Sequence, residues 1–274
     1  MSTVDLAPPA SMRRWTTPRI AGWLLMGAWF AAGAALAYYV AADWNQAFVA
    51  RYAPRILGGL LVTLALVALS ITLGAILAQP IAFARNSTNP VIGALSYAYV
   101  YFFRGTPLLA QVFLVYYGAG QFRGVLESIG LWWFFREAFY CAAFAFTLNT
   151  AAYQAEIYRG AINSVPKGQW EAGRALGLPD IVIFFKVIMP QAAIIALRPL
   201  GNEVILMIKG SAVASIVTVY DIMGVADLAF ARSFDLSVYL WAAVLYLVIV
   251  ETLSRLLNLL EGRLSAHLFA ARKA

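Results

Sequence analysis

"EAGRALGLPDIVIFFKVIMP", residues 171–190, is the stretch on which the reading of this chain turns. It begins with a glutamate, is punctuated by Gly173, Gly177 and Pro179, and lies between two strongly apolar runs. Residues 170–178 are good helix formers, with small Ala172, Gly173 and Ala175 among them. Gly177 and Pro179 then stop that helix, as glycine and proline do beyond a helix C-terminus. Glu171 near its start suits the positive end of the helix dipole. A short helix with a small-residue surface lets another protein's backbone approach closely. The competing reading is an ordinary amphipathic loop helix lying on a membrane.

The flanking runs set the class. The chain has 274 residues, of which 62% are hydrophobic and 12% charged, and its mean hydropathy is +0.76. Soluble domains carry about 25% charged residues, so this chain is expected to be an all-α integral membrane protein. Spans of roughly 20 apolar residues cross a bilayer, and six candidates are present: residues 20–42, 56–83, 104–118, 139–158, 201–219 and 238–260. Residues 91–103 form an apolar approach to the third. Pro107 is tolerated in the first turn of a helix and Arg104 can reach the inner headgroups, so the RGTP at 104–107 reads as a structural start to that crossing.

The net charge of +7 reads as membrane orientation rather than nucleic-acid binding. With a cytoplasmic N-terminus, six crossings return the C-terminus to the cytoplasm. Arg13, Arg14, Arg19, Arg85, Arg104, the basic residues between 159 and 198 and those between 255 and 273 then gather inside. Outside remain Arg51, Arg55, Arg123, Arg136 and Arg232. This follows the positive-inside bias and places residues 171–190 in the cytoplasm. The first apolar run, with its basic approach and "ALA" at 35–37, also looks like a secretory signal, but it is long for one and is read as a retained helix. The single Cys141 excludes an internal disulfide and reads as a small buried hydrophobe. The single His267 sits near the basic tail, solvated or facing headgroups.

The central spacing then carries a resemblance. Glu171-Ala172-Gly173, three residues, Gly177, nine residues and Val187-Ile188-Met189-Pro190 resemble the "EAA" loop of ABC importer permeases, with mild departures at Gly173, Val187 and Met189. Gly173 in place of alanine loosens the helix by up to about 1 kcal/mol. "FFRGTPLLAQVFLVYYG" (102–118), "TLNTAAYQAEIYRGAINSVPKGQWEAGRALG" (147–177) and "GNEVILMIKG" (201–210) resemble the polar and basic amino-acid branch, for histidine, lysine, arginine and ornithine and for opines such as octopine and nopaline. The resemblance covers about residues 55–261, leaving residues 1–50 as an N-terminal tail, extra helix and short outer loop ahead of a transmembrane domain at 51–274.

The resemblance implies a type I ABC importer transmembrane domain with about six helices and a cytoplasmic coupling helix. Glu171, Ala172, Gly173, Arg174 and Gly177 would seat in a groove of a cytoplasmic ATPase dimer. A second permease, similar or identical, and an extracytoplasmic substrate-binding protein would complete the importer in a bacterial inner membrane. The chain carries no G-x-x-x-x-G-K-[ST] phosphate loop, so ATP and Mg are expected on the partner ATPase, with no cofactor or metal here and no catalytic residue.

Charged groups within crossings are functional candidates. Asn149, Tyr153 and Glu156 share one face of the fourth crossing, and Glu203 lies on the fifth with Asn202 beside it. These are the expected substrate-pathway residues. Their alternatives are structural: a Glu156–Arg159 pair, a Glu203–Arg198 pair or inter-subunit bond, and helix–helix bonding by Asn149 and Tyr153. Asp221, Asp227 and Asp235 are expected to face outer water, where a binding protein would dock. The competing function is a secondary, ion-coupled amino-acid transporter, which often shows an internal repeat that this chain lacks. A membrane enzyme is disfavoured because no H-E-x-x-H or G-x-S-x-G occurs.

Overall fold

The computed structural model describes residues 16–42 and 46–270, without the side chains of residues 40, 41, 47, 48 and 264–270. Arg13, Arg14, Arg272, Lys273 and the His267 side chain therefore lie outside the described residues. The chain divides into two compact units, Met1–Ala50 and Arg51–Ala274. The first holds helix α1 (Thr17–Ala42). Its span Thr17–Tyr39 is long and apolar enough to cross a membrane.

The described residues of the second unit form helices joined by short turns, with no strand among them. Helix α2 (Gln46–Arg85) runs 40 residues with Pro54 and Pro80 inside it, about 60 Å at 1.5 Å per residue. Asn89 then caps α3 (Pro90–Gly105): its side chain accepts from the Val91 and Ile92 amides, and Pro90 occupies the first turn. Helix α4 (Leu108–Gln121) follows Pro107. Two short helices, α5 (Arg123–Ser128) and α6 (Trp132–Phe135), lead into α7 (Ala138–Ser164). Beyond it come α8 (Lys167–Ala175), α9 (Asp180–Ile183), a π-helical turn Phe184–Ile188 and α10 (Met189–Gly210). A 3-10 segment Ser211–Val217, α11 (Ile222–Ser233) and α12 (Ser237–Ala270) complete the unit.

Four helical stretches are long and apolar enough to span: Thr17–Tyr39, Val49–Arg85, Asp180–Val217 and Ser237–Arg263. The expected third crossing is not one straight helix. α3 and α4 are bent by 103° at a short break, and the 14 residues of α4 reach only about 21 Å, short of a hydrocarbon core of ~30 Å. The fifth falls in the stretch Asp180–Val217 rather than starting near residue 201: its helix α10 begins at Met189, because Pro190 fits the first turn of a helix and the interior Pro199 does not stop it.

The expected fourth crossing corresponds to α7, 27 residues long but too polar to count among the spans by hydropathy. It is the centre of the unit. Cys141, Ala142, Ala145, Phe146, Ala151, Ala152 and Ala155 are fully buried, and its small side chains let α3, α4 and α10 pack closely around it. Cys141 is buried as expected, its thiol directed at the Phe135 carbonyl at 3.2 Å.

Candidate functional site

Helix α8 ends as the sequence suggests. Gly177 has φ +72°, the left-handed conformation that costs a residue with a Cβ about 1–2 kcal/mol. The Leu178 amide bonds the Gly173 carbonyl at 3.1 Å and the Gly177 amide bonds Arg174 at 2.9 Å. These two bonds form a Schellman C-cap, and they cover carbonyls the helix would otherwise leave bare.

The same turn folds α9 back onto α8. Gly173 is buried, and a Cβ placed there would lie 2.7 Å from Ile183 Cγ1 and 2.8 Å from its Cδ1. Ile183 itself is fully buried. The glycine that departs from the importer pattern thus accommodates an isoleucine ten residues later. Arg174 closes the turn with a two-pronged ion pair to Asp180, at 2.9 and 3.1 Å. That hydrogen bond and the carboxylate's charge hold the guanidinium proton still more tightly than usual.

Glu171, Ala172 and Arg174 remain exposed. Trp170, Glu171 and Arg174 border an open cleft of about 590 Å³ with Phe83, Asn163 and Phe184. The Phe184 ring joins the loop to α2, 5.7 Å from Phe83 and 6.4 Å from Trp170.

The second expected site separates into distinct neighbourhoods. Asn149 donates to the Phe103 carbonyl at 2.9 Å and to Gln111 Oε1 at 3.0 Å. Tyr153 donates to the Arg104 carbonyl at 3.5 Å, and the Arg104 guanidinium lies 5.1 Å above its ring. Both side chains thus meet the broken end of α3. Glu203, buried on α10, accepts from Thr150 at 2.8 Å, and Thr150 in turn accepts from Gln154 at 3.1 Å. Gln154 also reaches the Ile71 carbonyl of α2 at 3.2 Å. Glu203 does not meet Arg198, whose nearest carboxylate is Glu261 at 3.7 Å.

Glu156 is paired with Arg159 at 2.7 Å and also with Arg85 at 2.9 Å, which stacks on Tyr97 at 5.0 Å. Asn202 is exposed and lines a separate cavity of about 190 Å³ with Arg198, Leu257 and Glu261. It is not brought together with Asn149 or Tyr153.

One of the three outer aspartates departs from expectation. Asp221 is fully buried, because it caps α11 through the Gly224 amide at 2.8 Å and accepts from Tyr246 at 3.2 Å. It faces no water. Asp227 is tied to Tyr239 at 3.1 Å, and Asp235 is half-buried and accepts from the Ser237 amide at 2.9 Å.

Sequence reasoning missed Gln111, Thr150, Gln154, Arg85 and Ile183. All act across contacts far apart in the chain or through a helix break. A local signal existed only for Gln111, a buried polar residue four positions after a proline. Among the described residues, no group of three or more His, Cys, Asp or Glu gathers to hold a metal.

Residues 70–266 match the model of a family described as "Binding-protein-dependent transport system inner membrane component". The chain is 43% identical over 218 residues to the nopaline transport system permease protein NocM of Agrobacterium fabrum, covering 79% of this chain and 90% of that protein. It is 40% identical to the octopine transport system permease protein OccM of Rhizobium meliloti, over 76% of this chain and 85% of the relative. The arginine ABC transporter permease protein ArtM of Haemophilus influenzae is 39% identical, over 78% and 94%. A crystal structure of an amino acid ABC transporter with histidines superposes with a TM-score of 0.71 at 34% identity, covering 81% of this chain and 99% of that one. An inward-facing MetNI methionine ABC transporter, at 20% identity and TM-score 0.64, supports the fold alone.

Proposed function

The chain belongs to the family of binding-protein-dependent transport system inner membrane components, and from that premise we propose that it passes a basic amino acid or an opine across the membrane. It is a multi-pass permease subunit of an ABC importer, and it works with an ATPase and a substrate-binding protein. Nothing in the comparisons favours an ion-coupled secondary transporter. The substrate reading draws support from relatives named for nopaline, octopine and arginine.

Helix α8 is the seat of the ATPase. The observation that carries this is the braced turn itself: the buried side of α8 is locked by Gly173 against Ile183 and by the Gly177 cap, while Glu171, Ala172 and Arg174 stay exposed. A lever transmits force only if it is rigid on one side and free on the other. Docking there puts α8 and both termini in the cytoplasm, with ATP and Mg on the ATPase pair. The second permease is a copy of this chain or a similar one. Nucleotide-driven closure then shifts the permease pair between inward- and outward-facing states by its differential affinity for the two.

Within the membrane, Arg104 and Glu203 are the complementary charges. Arg104 stays exposed beside half-buried Tyr153. A guanidinium near membrane depth faces a wet path or another subunit rather than lipid. Arg104 offers a partner to a substrate carboxylate, Glu203 to a cationic group, and Tyr153 lines the same corner. Asn149 supports it from bonds already made within the protein, whereas Glu156 is engaged with Arg85 and Arg159 and Asn202 lies on a side cavity.

Pull-down of the ATPase tests the docking. Substitution of Glu171 or Gly177 is expected to weaken it, and retention of both assembly and transport by these variants overturns the reading. Ligand-stimulated ATPase activity of the reconstituted complex against a panel of amino acids and opines tests the substrate class. Full transport by Glu203→Gln at normal expression removes Glu203 from the path.

A further inference from the structure

A helix broken inside a membrane leaves its last carbonyls without amide partners, and water is not at hand to cover them. At the break after α3, side chains take the Phe103, Arg104 and Thr106 carbonyls, and one is added at the Phe102 carbonyl, which also keeps the Thr106 amide at 3.1 Å. The Phe102 carbonyl accepts from the Thr106 hydroxyl at 2.8 Å. The Phe103 carbonyl accepts from Gln111 and from Asn149, both at 2.9 Å. The Thr106 carbonyl accepts from Gln111 at 3.1 Å, and the Thr106 hydroxyl oxygen accepts from the same amide at 2.8 Å.

Gln111 is the hub of this arrangement. It is 3% exposed. Its Nε2 faces three oxygens, so its orientation is dictated: turned over, the amide would set oxygen against oxygen. Its Oε1 accepts from Asn149, which ties α4 to α7 and both to the end of α3. Arg104 sits between the pinned Phe103 and Thr106, with its own carbonyl held by Tyr153. The position of the guanidinium over the Tyr153 ring therefore follows from the break, and the break is held by Gln111.

We propose that Gln111 is a positioning residue for substrate selection: by pinning the α3–α4 break it holds Arg104 where a substrate carboxylate meets it. This rests on the reading of Arg104 given above. Gln111 itself touches no substrate, and every polar atom of its amide is engaged within the protein.

The test is equilibrium binding of arginine and of agmatine, which lacks the carboxylate, to the detergent-solubilised permease–ATPase complex without binding protein. Wild type is expected to prefer arginine by about ten- to hundredfold, the worth of hydrogen bonds to a charged group. Gln111→Leu is expected to bring that ratio to about 1, because displacement of a positioned group by ~1 Å forfeits its contact. Agmatine binding, ATPase association and melting temperature serve as the readouts of a merely structural defect, which would not alter a ratio taken on assembled complex. An unchanged ratio in Gln111→Leu overturns the positioning role.

If Arg104→Gln keeps the preference, or wild type shows none, the role of Arg104 fails instead. Should Gln111→Leu not assemble, Thr106→Val decides. It removes one Gln111 acceptor and the bond to Phe102, and it is expected to shrink the ratio severalfold. An intact ratio there also refutes the proposal.

Discussion

Replacing Gly173 with alanine sets two effects of opposite sign against each other. Alanine is favoured over glycine in a helix interior by up to about 1 kcal/mol. The new Cβ would meet Ile183 Cγ1 at 2.7 Å and Cδ1 at 2.8 Å, and overpacking of this kind costs about 1–3 kcal/mol. Ile183 is fully buried, so it has little room to withdraw, and the steric effect should win. Gly173→Ala alone is expected to destabilise by about 1 kcal/mol. Ile183→Ala removes all the offending atoms but costs about 2–5 kcal/mol as a cavity. In that background Gly173→Ala fills space and regains its helix preference, so its sign should reverse to about 1 kcal/mol stabilising. The coupling energy of the cycle is then about 2 kcal/mol, well above the few tenths expected of independent sites. Thermal unfolding of the purified complex in detergent reads the four corners, with ATPase pull-down alongside to register the docked face. Equal effects of Gly173→Ala in both backgrounds would falsify the brace between α8 and α9.

Three further perturbations have definite expected outcomes. Gly177→Ala, at φ +72°, should cost about 1–2 kcal/mol and weaken ATPase capture, and Gly177→Asn should lose less; parity of both with wild type in pull-down and melting contradicts the cap. Glu156→Gln leaves Arg85 and Arg159 without their carboxylate, at 17% and 33% exposure, so unfolding should ease by about 2 kcal/mol, below the value for a fully buried pair; a transport defect without lost stability would instead return Glu156 to the substrate path. Asp221 is pushed up by burial to about 6 from 3.8. Its raised value means the folded state holds the proton more tightly, so stability from this group is full below pH ~4 and is lost as pH rises through ~6, by about 3 kcal/mol in all. Asn can still cap α11, so Asp221→Asn should flatten that pH dependence of melting; an unchanged slope between pH 4 and 7 counts against the buried carboxylate.

The loop and the fold were legible for different reasons. Class followed from composition, because a chain with 12% charged residues cannot cover itself in water. The end of α8 followed from Gly177 and Pro179, whose backbone preferences are local. The 103° break was not legible. Pro107 announces a helix start, but nothing within a few residues says that the preceding helix approaches at a steep angle. The direction of that approach is set by Gln111 and Asn149, which lie 38 positions apart. Asp221 misled for a similar reason: an aspartate between two apolar runs reads as water-facing until its cap to Gly224 and its bond to Tyr246, 25 residues on, are seen.

Helix α7 shows why hydropathy undervalues the element that matters most. Its Asn149, Thr150, Tyr153, Gln154 and Glu156 lower its apolar score, yet each is bonded to α2, α3, α4, α10 or a neighbour on its own helix. Among the described residues no buried side-chain nitrogen or oxygen lacks a partner. In water such residues would advertise a surface. Inside a membrane they are tolerated where they satisfy backbone that a broken helix has freed, or pair with one another. Gly74 makes the same point from the opposite side: a Cβ there would collide with Thr150 and crowd Gln154 at 3.1 Å, so α2 has no side chain where the polar ladder of α7 comes closest. The polarity of α7 and the missing side chain on α2 are two halves of one contact.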